Sequence, residues 1–86
     1  MNTATIDPQL KHALQSRRSD EFHLLLLVDQ VDAGKEQALA ARGVLVRRSM
    51  TLTPTFAVTC TGAAGLSLLE VPWIRRVEED RPVYAL

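Results

Sequence analysis

Cysteine is nearly absent from this chain, which carries only Cys60 among its 86 residues. A lone cysteine closes no intrachain disulfide and cannot build a cysteine-based zinc site. An excess of charge of either sign is lacking too. Ten Lys and Arg balance ten Asp and Glu, so no positive surplus is available to neutralise a phosphate backbone, and no nucleic-acid partner is expected. Aromatic residues make up 5% of the chain, which leaves few ring faces on which bases could stack. The dibasic pairs Arg17-Arg18, Arg47-Arg48 and Arg75-Arg76 are interspersed with acids, and a phosphate-binding role is set aside on that ground. His12 and His23 are isolated, without ligand spacing around either, so no metal is expected and no cofactor is implied.

Long hydrophobic runs are missing as well. The longest runs only from Leu24 to Val28, far below the ~18 consecutive apolar residues of a membrane span, so no membrane partner is expected. Residues 1–7 lack the basic start and apolar stretch of a secretory signal. The expected location is therefore cytoplasmic for the chain as presented, and extracellular if it is excised from a longer precursor.

What is present suits a small folded unit. The hydrophobic fraction of 47% is that of a globule, and the length holds one domain. Such a domain buries a modest core and gains on the order of a few kcal/mol from folding. Residues 1–20 are polar and read as an N-terminal tail. Within them Asp7-Pro8 is a fair helix start, and Leu10, Ala13 and Leu14 would share one face of a short helix. A helix of that length is marginal alone, so a mobile tail and a docked turn or two both remain open.

Residues 21–29 read as a strand that is apolar on both faces, with Phe22, Leu24, Leu26 and Val28 on one and Leu25 and Leu27 on the other. Residues 34–42 favour a helix, capped by Asp32 and stopped by Gly43. Residues 44–53 form a β-branched second strand, and Thr53-Pro54-Thr55 a hairpin connection. The third strand covers residues 56–60, with Cys60 as a buried small hydrophobe. Thr61 caps a helix over residues 63–70, which Val71-Pro72 breaks. Residues 73–79 make the fourth strand. Trp73 packs on the domain beside the Pro72 turn or meets a partner.

The order β-α-β-β-α-β predicts an α+β fold of the ferredoxin-like, split βαβ kind: a four-stranded antiparallel sheet with two helices on one face. Leucines on both faces of the first strand then need an explanation. Leu25 and Leu27 lie under the N-terminal segment or belong to a partner surface.

The C-terminal half carries a family resemblance. Pro72-Trp73-Ile74-Arg75-Arg76-Val77-Glu78-Glu79-Asp80 is similar to the signature Pro-x-Val/Ile-x-x-Val-Glu-x-Asp that closes subtilisin propeptides and the free-standing inhibitors related to them. Ala41-Arg42-Gly43-Val44 resembles that family's helix-to-strand glycine, Phe56-Ala57-Val58 its third strand, and Thr61 to Leu69 its second helix. Thr55 departs from the pattern, standing where many members have glycine. The resemblance covers residues 21–86, and the chain ends six residues after Asp80, the length at which such propeptides are cut from their protease.

The resemblance implies a serine protease inhibitor with a subtilisin-like serine protease as partner, a propeptide-like domain at residues 21–80 and an inhibitory tail at residues 81–86. The tail would lie in the substrate cleft as an extended product mimic. Leu86 would fill the primary pocket, Val83 the apolar pocket three residues upstream, Ala85 a crowded position and Tyr84 solvent. Glu78 and Asp80 would meet the N-termini of two protease helices, with Leu25 and Leu27 as sheet-face contacts. Assistance to protease folding, as an intramolecular chaperone, is implied as well. No catalytic residue belongs to this chain and it is not expected to be an enzyme. An acylphosphatase-like activity would need a basic, glycine-rich loop after the first strand, and Gln30-Val31-Asp32-Ala33 is neither. The alternative is a generic ferredoxin-like interaction or oligomerisation domain without a protease target.

Overall fold

The computed structural model describes residues 3–81. Its elements run β1 (Thr5–Ile6), α1 (Pro8–Ser16), β2 (Glu21–Val28), α2 (Ala33–Ala41), β3 (Leu45–Met50), β4 (Thr55–Thr61), α3 (Gly62–Leu68) and β5 (Ile74–Glu79). The fold is α+β, with three helices and one five-stranded sheet in the order β1-β5-β2-β4-β3. The expected four strands are one too few, and the sheet is mixed, because β1 pairs parallel with β5 through Thr5 opposite Arg76 and Ile6 opposite Val77. A strand of two residues carries no periodic pattern, and the polar start of the chain gave no sign of it.

Residues 3–20 are ordered and pack on the rest of the domain. The Asp7 carboxylate accepts hydrogen bonds from the backbone N–H groups of Gln9 and Leu10 at 3.0 and 3.2 Å, which caps α1, with Pro8 at its first position. Leu10 and Leu14 are buried, Leu14 completely. α1 lies close on α3: a Cβ on Gly62 would fall 2.6 Å from the backbone oxygens of both Leu14 and Arg17, so only glycine fits there. Tertiary packing thus supplies what nine residues of helix cannot supply alone.

The other two helices are capped as the sequence signals. Asp32 accepts from Lys35 N at 2.8 Å, and Thr61 Oγ1 accepts from Ala64 N at 3.2 Å. Gly43 follows α2 with φ of 79°, a left-handed conformation that favours glycine. Lys35 ties the β2–α2 turn together. Its ammonium lies 2.9 Å from Asp29, 3.2 Å from Asp32 and 5.8 Å from the Trp73 ring centroid. The Lys35 side chain holds the Asp29 carboxyl below the usual range. The Lys35 backbone N–H, and then its side chain, do the same for Asp32. The stability this adds is present above the unfolded carboxylate pKa and lost as pH falls through the lowered values. Solvent screening of these exposed groups keeps it small.

The core sits between the helices and one face of the sheet. Phe22, Leu24, Leu26 and Val28 of β2, Phe56, Val58 and Cys60 of β4, and Ile74 and Val77 of β5 pack with Leu10, Leu14, Leu39 and Leu68 of the helices. A β-bulge shapes β3. Val46 opposes Val58, but the next pair is Arg48 with Ala57, then Ser49 with Phe56. In a continuous register Arg48 would oppose Phe56 and point into the core. The extra residue, Arg47, keeps both arginines out of it.

Cys60 is 5% exposed, and burial pushes its thiol up to about 11. A thiol that stays protonated is a poor nucleophile. The native protein should therefore leave a thiol-reactive chromophore unreacted at pH 8 and react fully once denatured. Rapid reaction of the native protein would mean that the Cys60 face of β4 opens to solvent.

Candidate interaction face

Register places the remaining side chains on a second face that none of the helices covers. Antiparallel partners share a face, so the pairs His23–Thr59, Leu25–Ala57 and Leu27–Thr55 define it on β2 and β4. Glu78 joins opposite Leu25 and Arg76 opposite Leu27. Leu45, Arg48 and Met50 join from β3, opposite Thr59, Ala57 and Thr55. Leu25 and Leu27 are half-buried and lie outside the core cluster, which takes Leu24 and Leu26 from the same strand. Residues 3–20 do not shield them, because α1 packs on the opposite face.

The face has relief. Ala57 is fully buried and Thr55 nearly so, although no helix lies over them. Their neighbours on β2 and β3 carry the larger side chains Leu25, Leu27, Arg48 and Met50, so β4 forms the floor of a shallow trough. Ala57 thus sits in the middle of this face, and Thr55 at its end beside the β3–β4 turn. At its outer rim lies Leu45, 65% exposed, on β3, which is an edge of the sheet.

The two acids expected at a partner are both at this end of the molecule, and each already has an internal partner. Glu78 lies 2.6 Å from Arg76 Nε, with side chains 41% and 55% exposed. Asp80 lies 2.7 Å from Arg47 Nη2, with side chains 24% and 33% exposed. The partner of Asp80 is none of its sequence neighbours Arg75, Arg76 and Arg81 but a residue of β3, 33 positions back. The Asp80 N–H donates to the His23 carbonyl at 2.9 Å, which sets Asp80 at the His23 end of the open face.

Val83, Tyr84, Ala85 and Leu86, the expected cleft-binding residues, lie outside the described residues. Comparison with protein-family models, with curated proteins and with solved structures finds no match. Among the described residues, no group of three or more His, Cys, Asp and Glu side chains comes together as a metal site would need. No described helix is long and apolar enough to cross a membrane. A cleft of about 430 Å³ between α1 and β5 is lined by Asp7, Arg17, Arg76, Glu78, Glu79 and Arg81 among others. Its arginines are each paired, with Asp20, Glu78 and Glu79 respectively, which leaves the cleft balanced in charge.

Proposed function

We propose that this chain inhibits a subtilisin-like serine protease, resting its open sheet face on the enzyme and laying residues 81–86 in the substrate cleft as a product mimic. One observation carries the proposal: Leu25, Leu27 and Glu78 share a helix-free face, and the chain leaves the sheet beside them at Asp80. Apolar area rimmed by acids suits a protein surface that offers helix N-termini, where free N–H groups and the dipole favour carboxylates. The strands β5-β2-β4-β3, with α2 and α3, follow the order β-α-β-β-α-β. That supports reading them as a ferredoxin-like unit on which β1 and α1 are an addition. The tail would bind as an added strand, through main-chain hydrogen bonds and alternate pockets. Occupying the cleft as a bound product does, the tail inhibits competitively and without a covalent bond. Assistance to protease folding belongs to the same proposal, and no catalytic step is assigned to the chain itself.

Glu78 offers the cleaner test of the acids, because its side chain is more exposed than that of Asp80 and, among the described residues, its ion pair is with Arg76 of the same strand. Glu78→Lys should leave the circular dichroism spectrum and melting temperature close to wild type. It should raise the inhibition constant about tenfold at low salt, as replacing attraction at a helix N-terminus with repulsion requires. An unchanged inhibition constant would show that Glu78 meets no helix N-terminus of the protease. A second reading, self-association or docking through the sheet without a protease, is favoured by exposed Leu45 on the edge strand. It predicts binding that survives loss of the tail.

A further inference from the structure

We infer that Arg47 is a positioning residue, whose ion pair with Asp80 clamps the point at which the C-terminal segment leaves the sheet. β3 and β5 are not neighbours; β4 and β2 lie between them. The Arg47 guanidinium nevertheless reaches the Asp80 carboxylate at 2.7 Å, and donates more weakly to the Val58 carbonyl at 3.4 Å. It spans this distance because Arg47 is the extra residue of the β3 bulge, unpaired in the β4 register and free to lean over the sheet. Asp80 is held twice: its N–H by His23 O at 2.9 Å, its Oδ2 by Arg47. Arg81, the next residue, is exposed, and among the described residues its ion pair is with its near neighbour Glu79. Asp80, the first residue past β5, is therefore held through both its backbone and its side chain, and Arg47 supplies the side-chain anchor.

The pair differs from the other arginine–carboxylate pairs among the described residues. Those join residues two or three apart and leave every side chain more than 40% exposed. The Arg47–Asp80 pair joins residues 33 apart and is the least exposed of the set, so solvent screens it less. Among the described residues, Asp80 Oδ1 accepts no hydrogen bond. Arg47 therefore fixes the orientation of the carboxylate through Oδ2. Resting on the inhibitor proposal, this makes Arg47 a determinant of affinity through its hold on Asp80. It pre-orders the carboxylate and the root of the tail, and so removes part of the ordering cost of binding.

The test separates the clamp from its consequence. Amide hydrogen exchange of the free chain would be followed at Asp80 and Arg81 in wild type, Arg47→Ala, Arg47→Lys, Asp80→Ala and the Arg47→Ala/Asp80→Ala double variant. The same five would be titrated against a subtilisin-type protease. Arg47→Ala should speed exchange of the Asp80 amide at least ~10-fold while amides in the middle of β2 are unchanged, and Arg47→Lys should restore most of the protection. The inhibition constant should rise about fivefold in Arg47→Ala and at least as much in Asp80→Ala, with the double variant no worse than Asp80→Ala alone, the mark of Arg47 acting through Asp80. Unchanged exchange at Asp80 overturns the clamp. Faster exchange with an unchanged inhibition constant overturns its role in positioning. If wild type inhibits nothing, the inhibitor proposal fails, and the exchange data still decide the clamp.

Discussion

Removing residues 83–86 should raise the inhibition constant against a subtilisin-type protease at least ~100-fold while leaving the melting temperature of the domain where it was. Val83 and Leu86 are the apolar members of the tail at the two proposed pocket positions, and burying each side chain contributes about 1.5–3 kcal/mol. Losing both, with the strand-like hydrogen bonds between them, exceeds the ~2.8 kcal/mol that a hundredfold change represents. The fold should not feel the deletion, since the core cluster runs from Ala4 to Val77. Leu86→Asp should reproduce much of the loss, because a carboxylate in an apolar pocket is poorly solvated. The inhibition constants and thermal melts of the three chains decide the matter. Equal inhibition by a truncated chain that melts normally would remove the product-mimic mechanism and favour a sheet-mediated interaction domain.

The second large effect concerns stability. Leu14→Ala should destabilise the domain by about 2–5 kcal/mol, the range for a fully buried leucine whose cavity cannot collapse. Leu14 is completely buried, and its methyl carbons lie 3.3 and 3.5 Å from the position a Cβ would take on Gly65. A domain of this size has on the order of a few kcal/mol to lose. Leu14→Ala should therefore be largely unfolded at 37 °C by circular dichroism, with Gln15→Ala, on the exposed side of α1, close to wild type. A Leu14→Ala melt within a few degrees of wild type would show that α1 is dispensable. The prediction bears on function, because an inhibitor acting as a separate chain must hold its face in shape before meeting the enzyme, and β1 and α1 add buried area that residues 21–80 alone lack.

Much of the middle of the chain was legible because local chemistry and packing agree there. Asp32 and Thr61 cap where the sequence places caps, and Gly43 takes the positive φ that ends a helix. The alternation in β2 assigns Leu24 and Leu26 to the core and Leu25 and Leu27 to the other face. What was not legible depends on contacts between distant residues. β1 is too short for any period, and its pairing with β5 is set by the route of α1 across the helical layer. The cap of α1 was readable from Asp7-Pro8, but its docking rests on Gly62 and Gly65 some fifty residues later, which no local pattern links to Leu14. The Arg47–Asp80 pair was hidden for a similar reason, since it requires a bulge. The one available signal was the doublet Arg47-Arg48 in a strand whose core face could not hold a charge. Leu45 was likewise read as one more strand residue, and only the sheet order shows it on an exposed edge.

The most direct measurement is a pair of titrations of the purified chain, one against a broad-specificity subtilisin-type protease and one against a chymotrypsin-type protease, with a small chromogenic substrate. The proposed face meets features particular to the subtilisin fold, whereas a loose peptide tail would enter either cleft. Competitive, reversible inhibition of the subtilisin-type enzyme at micromolar concentrations or below, with the chymotrypsin-type enzyme unaffected, is the predicted result. Equal inhibition of both enzymes, or of neither at micromolar concentrations, would contradict it.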